Sequence, residues 1–464
     1  MPQHFDAVVI GTGQGGSPLA VRLATNGRKT AVIERGEFGG TCVNVGCTPT
    51  KSYVASARVA HVARNAAPYG VHVAGAVTVD LAQVKARKDQ IIGRSRVGVE
   101  KWLRGTDNVT VFNGHARFTG SRTLNISGPD GQIAAELEAD EIFINTGTRA
   151  VVPPLEGLEQ IRYYTNSSLL ELTDLPEHLA IIGGSYIALE FAQVFRRFGS
   201  RVTVIVRGDR VLAREDADFS QAVQKVLARE GIEFRFGAQP QRVEPLAADG
   251  VRIGFDGDQP AVEATHLLFA TGRQPNTDDL GLDAAGIATD RHGIIPVDGA
   301  LRTSVPGVWA IGDVNGRGAF THTSYDDYQI VAANLFDGGK RSVDDRIMAY
   351  AVFVDPPLAR VGMSEAEVRQ SGRAALMATM PMSRVGRASE RGETDGFMKV
   401  LVDADSKKIL GAAIFGIEGD EAIHTFIDIM TAGATYPTLQ YAMHIHPTVS
   451  ELVPTLLDGL KPMK

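Results

Sequence analysis

The stretch Asp6-Ala-Val-Val-Ile-Gly11-Thr-Gly-Gln-Gly-Gly16 decides the fold. Asp6 to Ile10 reads as a buried parallel strand, and it runs through Gly11, Gly13, Gly15 and Gly16 into the helix-forming segment SPLAVRLATNG. Strand, G-x-G-x-x-G and helix in that order make a Rossmann-type turn. Its glycines let a pyrophosphate approach the helix N-terminus, where backbone N–H groups and the helix dipole favour negative charge. A second strand, KTAVIE, ends in Glu34, about where an acid binds ribose hydroxyls. A lone glycine pattern carries little weight. With strand, helix and acid in sequence, a plain glycine-rich turn is the poorer reading.

The plan occurs twice. HLAIIGGSYIALEFAQVFRRFG, residues 178–199, repeats strand, turn and helix, with Ser185 at the second glycine position after Gly183 and Ala188 at the third, where Ala is a tolerated variant. The next strand, SRVTVIV, ends in Val206 where an NAD site would place Asp or Glu, and Arg207, Arg210 and Arg214 follow. Without the acid, repulsion of a 2'-phosphate is gone and arginines can pair with it, so NADPH is expected over NADH. LLFATGRQPN (267–276) echoes IFINTG (142–147), which marks a duplicated nucleotide-domain plan and not a short-period repeat. Between the two units, Pro153 and Pro154 in VVPPLEG suit neither strand nor helix and place a linker near residue 152.

Length and composition set outer limits. At 464 residues the chain is long for one core, and two to four domains are expected. Hydrophobic content of 44% with 22% charged residues is ordinary for a globular protein. A net charge of -7 with no strongly basic run argues against nucleic acid and anionic membranes as partners. MPQHFDAVVIG lacks the basic and apolar regions of a secretory signal, and no stretch approaches the ~18 apolar residues of a membrane span. A cytoplasmic location is expected, and the sparse cysteine usage agrees.

Only two cysteines occur, Cys42 and Cys47, both within GGTCVNVGCTPTK (39–51). A structural disulfide across four residues closes too short a loop to stabilise much. Zinc would want about four ligands, and no His or further Cys lies in the segment, so no resident metal is expected. Reactivity is the better reading: the cysteines are set just before a helical pattern, TPTKSYVASARVAHVARNAA, whose positive end lowers thiol pKa. At the other end of the chain, HIHPTVSELVPTLL (444–457) holds His446 and Glu451, with Pro447 suited to the first turn of a helix and His444 more structural in character.

The wording G-G-T-C-x-N-x-G-C-x-P-x-K resembles the redox-active segment of the class I pyridine nucleotide-disulfide oxidoreductases, which include glutathione reductase, dihydrolipoyl dehydrogenase and mercuric reductase. The resemblance implies an α/β chain of two Rossmann-like domains and a C-terminal α+β dimerisation domain: an FAD domain at 1–152, an NAD(P)H domain at 153–276, a central domain at 277–345 and an interface domain at 346–464. It implies FAD at the first glycine turn, with Thr41 and Lys51 near the flavin and Ala116, Thr146, Gly147 and Thr321 among its contacts. TSVPGVWAIGDV is similar to the family's second flavin motif, which gives Asp313 a ribityl contact. The second turn, with Ile187 and Gly272, would take the nicotinamide nucleotide, Tyr186 gating it and Lys51 pairing with Glu190. Cys47 would be the thiolate nearer the flavin, and Cys42 the nucleophile that attacks substrate. His446, oriented by Glu451, would act on the partner subunit's cysteines, which implies a homodimer.

For the acceptor, a small disulfide or a soft thiol-reactive oxidant is expected. Val21 and Gln329 stand where glutathione reductases usually carry arginines, and the chain lacks the C-terminal cysteine pair of mercuric reductases. THTSYDDYQIVAANL and PPLARVGMSE look most like a bacterial mercuric-reductase-like subgroup that includes reactive-chlorine-responsive reductases acting on hypothiocyanous acid and copper(II), although Pro357 stands where the family usually has Glu. Dihydrolipoyl dehydrogenase and metal-ion reductase activities are the nearest alternatives. From another class, a flavin transhydrogenase or electron carrier would leave the cysteines as bystanders.

Overall fold

Ala7, Val8, Val9 and Ile10 form an unbroken apolar run because both faces of their strand are covered. In the computed structural model, which describes residues 2–247, 249–257 and 259–463, β1 (Gln3–Ile10) lies inside a seven-stranded sheet. Helix α1 (Gly16–Thr25) returns the chain to β2 (Thr30–Glu34), and α2 (Gly40–Asn44) and α3 (Cys47–Arg64) follow. β2 and β3 (Ile133–Ile144) run parallel to β1 on either side, with Ile10 opposite both Ile33 and Ile144.

The second unit repeats this arrangement at the level of single hydrogen bonds. β4 (His178–Ile182), α4 (Tyr186–Phe198), β5 (Arg201–Ile205) and β6 (His266–Phe269) belong to a four-stranded parallel sheet, with Ile182 opposite Ile205 and Phe269. The Gly11 N–H donates to the Ile33 carbonyl at 2.8 Å, and the Gly183 N–H to that of Ile205 at 3.0 Å. Asn145 closes the first turn on Ile10 and Ala270 the second on Ile182, each at 2.8 Å.

Strands Thr148–Ala150 and Arg273–Pro275 pair antiparallel, so the chain leaves the first unit and comes back beside its own exit. It then rejoins the first sheet as β7 (Val308–Ala310), parallel to β3, and enters α5 (Thr321–Phe336). The C-terminal part is an antiparallel six-stranded sheet. Its order is β8 (Ala349–Val352), β9 (Leu358–Gly362), Ile409–Phe415, β10 (Phe397–Asp403), Ala375–Pro381 and Lys461–Pro462. Helix α3 is held against both other parts. Tyr53 meets the Phe198 ring at 5.9 Å, while Arg58 donates to Asp355 at 2.8 Å and to Glu393 at 2.7 Å.

Pro447 does not open a helix, contrary to the sequence reading. The Thr448 hydroxyl donates back to the Ile445 carbonyl at 2.8 Å and His444 Nδ1 meets the Ser450 carbonyl at 2.7 Å, which fold this stretch into a bend. Helix α6 (Val453–Asp458) starts later, and Pro454 takes the first-turn position. Among the described residues no helix is long and apolar enough to cross a membrane.

Candidate active site

Gly39 and Gly40 adopt left-handed backbone, with φ of 98° and 64°, to turn the chain into α2. A Cβ on Gly40 would stand 2.9 Å from Gly13 Cα, so the cysteine segment rests on the first glycine turn with nothing but backbone between them. This contact forms one wall of a cavity of about 1150 Å³. Gly11, Gly13, Glu34, Thr41, Cys42 and Cys47 border it from the first unit, with Lys51, Ala116, Thr146 and Gly147. Tyr186, Ile187 and Glu190 close it from α4, and Asp313 and Thr321 from the segment after β7.

The cysteines do not both precede one helix. Cys42 lies within α2, and Cys47 is the first residue of α3. Both are thiols here, and Cys47 Sγ lies 3.2 Å from the Thr321 hydroxyl. The hydrogen bond from Cys42 pulls the Cys47 thiol down to about 6, assisted by Thr321 and by the charge of Lys51, against burial and Glu190. That same bond, followed by burial, pushes Cys42 up. The first proton therefore leaves the pair at Cys47, whose thiolate predominates above about pH 6. Cys47 does stand at the helix N-terminus expected from the sequence, and the Cys42 hydrogen bond acts on it there.

Lys51, one turn into α3, donates to Glu190 Oε2 at 2.6 Å. Glu190 is only 2% exposed, and its other oxygen accepts the Phe353 N–H at 2.9 Å. A buried carboxylate with both oxygens satisfied stays in place and keeps the ammonium at the cavity wall. The Lys51 ammonium also lies 4.6 Å from the Phe353 ring centroid.

Polar groups in the cavity wall suit a dinucleotide. Glu34 accepts from the Thr12 N–H at 3.0 Å and the Thr12 hydroxyl at 2.6 Å, and from the Gly36 N–H at 2.9 Å, so its carboxylate is fixed at the wall. The Thr146 hydroxyl is buried in the same wall with no partner among the described residues. A bound ligand's polar atoms would satisfy it. Asp313 accepts from the Thr148 hydroxyl at 2.8 Å, and burial pushes its carboxyl up. Gly15 and Gly16 stand behind the cavity, the Gly16 N–H donating to Asn145 Oδ1 at 2.9 Å.

Other sequence candidates lie off the cavity. Gly183, Ser185 and Gly272 belong to the second turn, away from the cavity lining. Val206 is buried against Gly184, and Arg207 and Arg214 are exposed beyond it, neither in an ion pair among the described residues. Arg210 donates to the Ala213 carbonyl at 3.2 Å, and its buried Nε has no partner among the described residues. His446 and Glu451 also stand apart from the cavity. His446 Nδ1 donates to Glu451 Oε2 at 2.7 Å, with the imidazole 81% exposed and the carboxylate 10% exposed. That bond fixes the ring and leaves Nε2 turned away from its own carboxylate.

Three features escaped the sequence reading. Asn145, which organises the first turn, was signalled by a polar residue at the end of the apolar run IFI. Phe320 and Tyr350, stacked beside Thr321 at 5.4 Å and 6°, come from parts of the chain with no shared motif. The Phe353 N–H on Glu190 is a backbone group and leaves no trace in residue type.

Residues 5–327 match the family model described as pyridine nucleotide-disulphide oxidoreductase, and residues 348–457 match the dimerisation domain of that family. The chain is 37% identical to a probable pyridine nucleotide-disulfide oxidoreductase, RclA, of Escherichia coli, over 98% of this chain and 99% of that one. A mercuric reductase of Streptomyces lividans is 34% identical over 96% and 94%. A dihydrolipoyl dehydrogenase of Chlamydia muridarum is 34% identical over 97% and 96%. Among solved structures, the copper(II) complex of the HOCl-induced flavoprotein disulfide reductase RclA from Escherichia coli matches with a TM-score of 0.90 at 35% identity, covering 99% of each chain.

Proposed function

The chain belongs to the pyridine nucleotide-disulphide oxidoreductase family of flavoprotein enzymes, and from that premise we propose that it is a homodimer that carries electrons from NADPH through Cys42 and Cys47 to a small thiol-reactive acceptor. One observation carries this reading: Cys47, held by Cys42 and Thr321, shares a cavity with Glu34, Thr146 and the Lys51–Glu190 pair.

Glu34, Thr146, Asp313 and the first glycine turn would hold FAD, with Lys51 and Thr321 at the redox end. When bound, FAD supplies two-electron exchange between the nicotinamide and the disulfide. On the acceptor side the chain's own sulfurs do the work. Cys42 gives its proton to His446 and its Sγ attacks a sulfur of an acceptor disulfide; the acceptor's S–S bond breaks, and the leaving thiolate takes that proton back from the His446 imidazolium. The Cys47 thiolate then attacks Cys42 Sγ, the mixed disulfide breaks, and the second acceptor sulfur leaves as a thiolate that takes its proton from water as the Cys42–Cys47 disulfide forms. The dithiol has given two electrons. Because Cys42 holds its proton more tightly than Cys47, it needs a base, and a His–Glu pair suits that task.

Several observations support the finer points. The exposed His446, outside the cavity of its own chain, fits action on a partner, and the dimerisation-domain match supports a pair of chains. Val206 and Arg207 after β5 support NADPH. Likeness to a copper(II)-binding, HOCl-induced reductase supports a thiol-reactive oxidant, and Val21 and Gln329 point away from glutathione disulfide. The test mixes inactive Cys42→Ser with inactive His446→Ala subunits. Heterodimers with one intact composite site should regain part of the acceptor reduction. A site contained in one chain would leave every mixture dead.

A further inference from the structure

Tyr350 has a place in neither glycine turn and in no motif, yet it touches both halves of the site. It lies on β8, and its hydroxyl donates to Glu215, a buried residue that also accepts from Arg360 Nε at 2.8 Å. Glu215 closes the loop that carries Arg207, Arg210 and Arg214. The loop is tied at other points too: the Leu212 N–H donates to the Gly184 carbonyl at 2.7 Å, and the Ser220 hydroxyl to that of Val211 at 2.6 Å. Asp216, next in sequence, takes Arg360 Nη2 at 2.9 Å. The loop is therefore clamped by the C-terminal sheet at its base while Arg207 and Arg214 stay exposed.

The other side of Tyr350 is aromatic. Its ring stacks on Phe320 at 5.4 Å and 6°, and the Tyr186 ring reaches Phe320 from α4 at 6.2 Å. Phe320 is the N-cap of α5, and the next residue, Thr321, holds its hydroxyl 3.2 Å from Cys47 Sγ. Phe320 and Thr321 share a peptide bond, so packing that fixes Phe320 also limits where this hydroxyl can lie. A continuous set of contacts thus runs from Glu215 through Tyr350, Phe320 and Thr321 to Cys47, crossing three parts of the chain.

We propose that Tyr350 is a positioning residue that couples the Arg207–Glu215 loop to Cys47 through Phe320 and Thr321. The nucleotide arm rests on the reading of that loop as the NADPH site; the cysteine arm does not. Groups facing Cys47 are Cys42 from α2, Lys51 from α3, Tyr186 and Glu190 from α4, and Thr321 from α5. None of these is itself replaced by a substitution at 350, and two of them adjoin Phe320: Thr321, the next residue, which contacts Cys47 directly, and Tyr186, whose ring meets that of Phe320.

Two variants test it in the flavin-loaded protein. Tyr350→Phe keeps the stack and removes the hydroxyl. Loss of a hydrogen bond to a charged, buried carboxylate loosens the loop, and the apparent KM for NADPH should rise roughly tenfold. Its effect on Cys47 should be small. Tyr350→Leu removes the stack as well. The pH midpoint for iodoacetamide alkylation of Cys47 in the reduced protein should then rise by roughly half a unit or more, because a misplaced Thr321 hydroxyl no longer favours the thiolate. Thr321→Val gives the full shift for comparison. Unchanged alkylation midpoints in Tyr350→Leu alongside a shifted Thr321→Val overturn the coupling. Alkylation uses no nucleotide, so this failure is separable from failure of the NADPH reading, which would appear as indifference of NADPH binding to Arg207→Glu.

Discussion

The two glycine turns share their opening hydrogen bonds, to Ile33 and Ile205, and differ in the residue that follows the neighbouring strand, Asn145 in the first and Ala270 in the second. A Cβ on Gly11 would stand 2.4 Å from the Asn145 carbonyl oxygen, and one on Gly183 would stand 2.2 Å from that of Ala270, so both positions exclude other residues for the same reason. They part at the next glycine. A Cβ on Gly13 would meet Asn145 Oδ1 at 2.8 Å, while one on Gly16 would meet the Gly11 carbonyl oxygen at 2.3 Å and Asn145 Oδ1 at 2.8 Å. In the second turn Ala270 replaces Asn145 and carries no amide to occupy that space. Ser185 sits there exposed with φ of -96°, ordinary backbone for a serine, and Ala188 is buried without a carboxamide beside it. Glu34 and Val206 occupy matching places one residue beyond Ile33 and Ile205, and only the first has a hydrogen-bonding side chain. The first turn is held by polar side chains, Asn145 and Glu34; the second has Ala270 and Val206 in their places.

The largest effect should come from the shared position. Gly11→Ala combines backbone at φ 101° with a clash at 2.4 Å, which costs roughly 2–6 kcal/mol locally. It should strip flavin from the protein, measured as the ratio of flavin to protein absorbance. Gly183→Ala, at φ 136° and 2.2 Å, should damage the second unit by a similar amount while flavin stays bound, and NADPH should no longer bleach it. If both variants lose flavin alike, the two turns do not serve separate nucleotides.

Next in size is Arg207. A charge-assisted contact with a 2'-phosphate is worth roughly 1.5–3 kcal/mol, about one to two powers of ten in affinity. Arg207→Glu should raise the KM for NADPH by that factor and leave NADH use unchanged. Equal kinetics with NADPH and NADH in the unaltered protein would dissolve this part of the contrast.

Much of this organisation was legible in residue order because it depends on local constraints. Gly11, Gly13 and Gly183 announce close backbone approach, and Glu34 announces a polar strand end. The cysteine spacing and the His446–Glu451 spacing likewise sit within one short segment each. What stayed hidden depends on residues far apart in the chain. Thr321 reaches Cys47 across the fold, Phe353 serves Glu190 through its backbone, and Tyr350 meets Glu215 only because β8 lies beside the loop after β5. Pro447 misled because a proline suits both a first helical turn and a bend, and the Thr448 and His444 hydrogen bonds choose between them.

The smallest effect is expected at Ser185, and it is the one that most sharpens the contrast. Ser185 is the N-cap of α4, but its side chain caps no backbone N–H, so Ser185→Gly removes no side-chain hydrogen bond among the described residues. Added backbone freedom in the unfolded chain should cost only about 0.5–1 kcal/mol, and a thermal unfolding midpoint would show it as a shift of a few degrees at most. If the serine is there only because Ala270 leaves room for it, the KM for NADPH should change by less than about twofold. A tenfold rise in that KM would mean that the hydroxyl itself contacts the nucleotide. The departure from glycine would then be a recognition device at the helix N-terminus, and the second turn would be specialised, not merely relaxed.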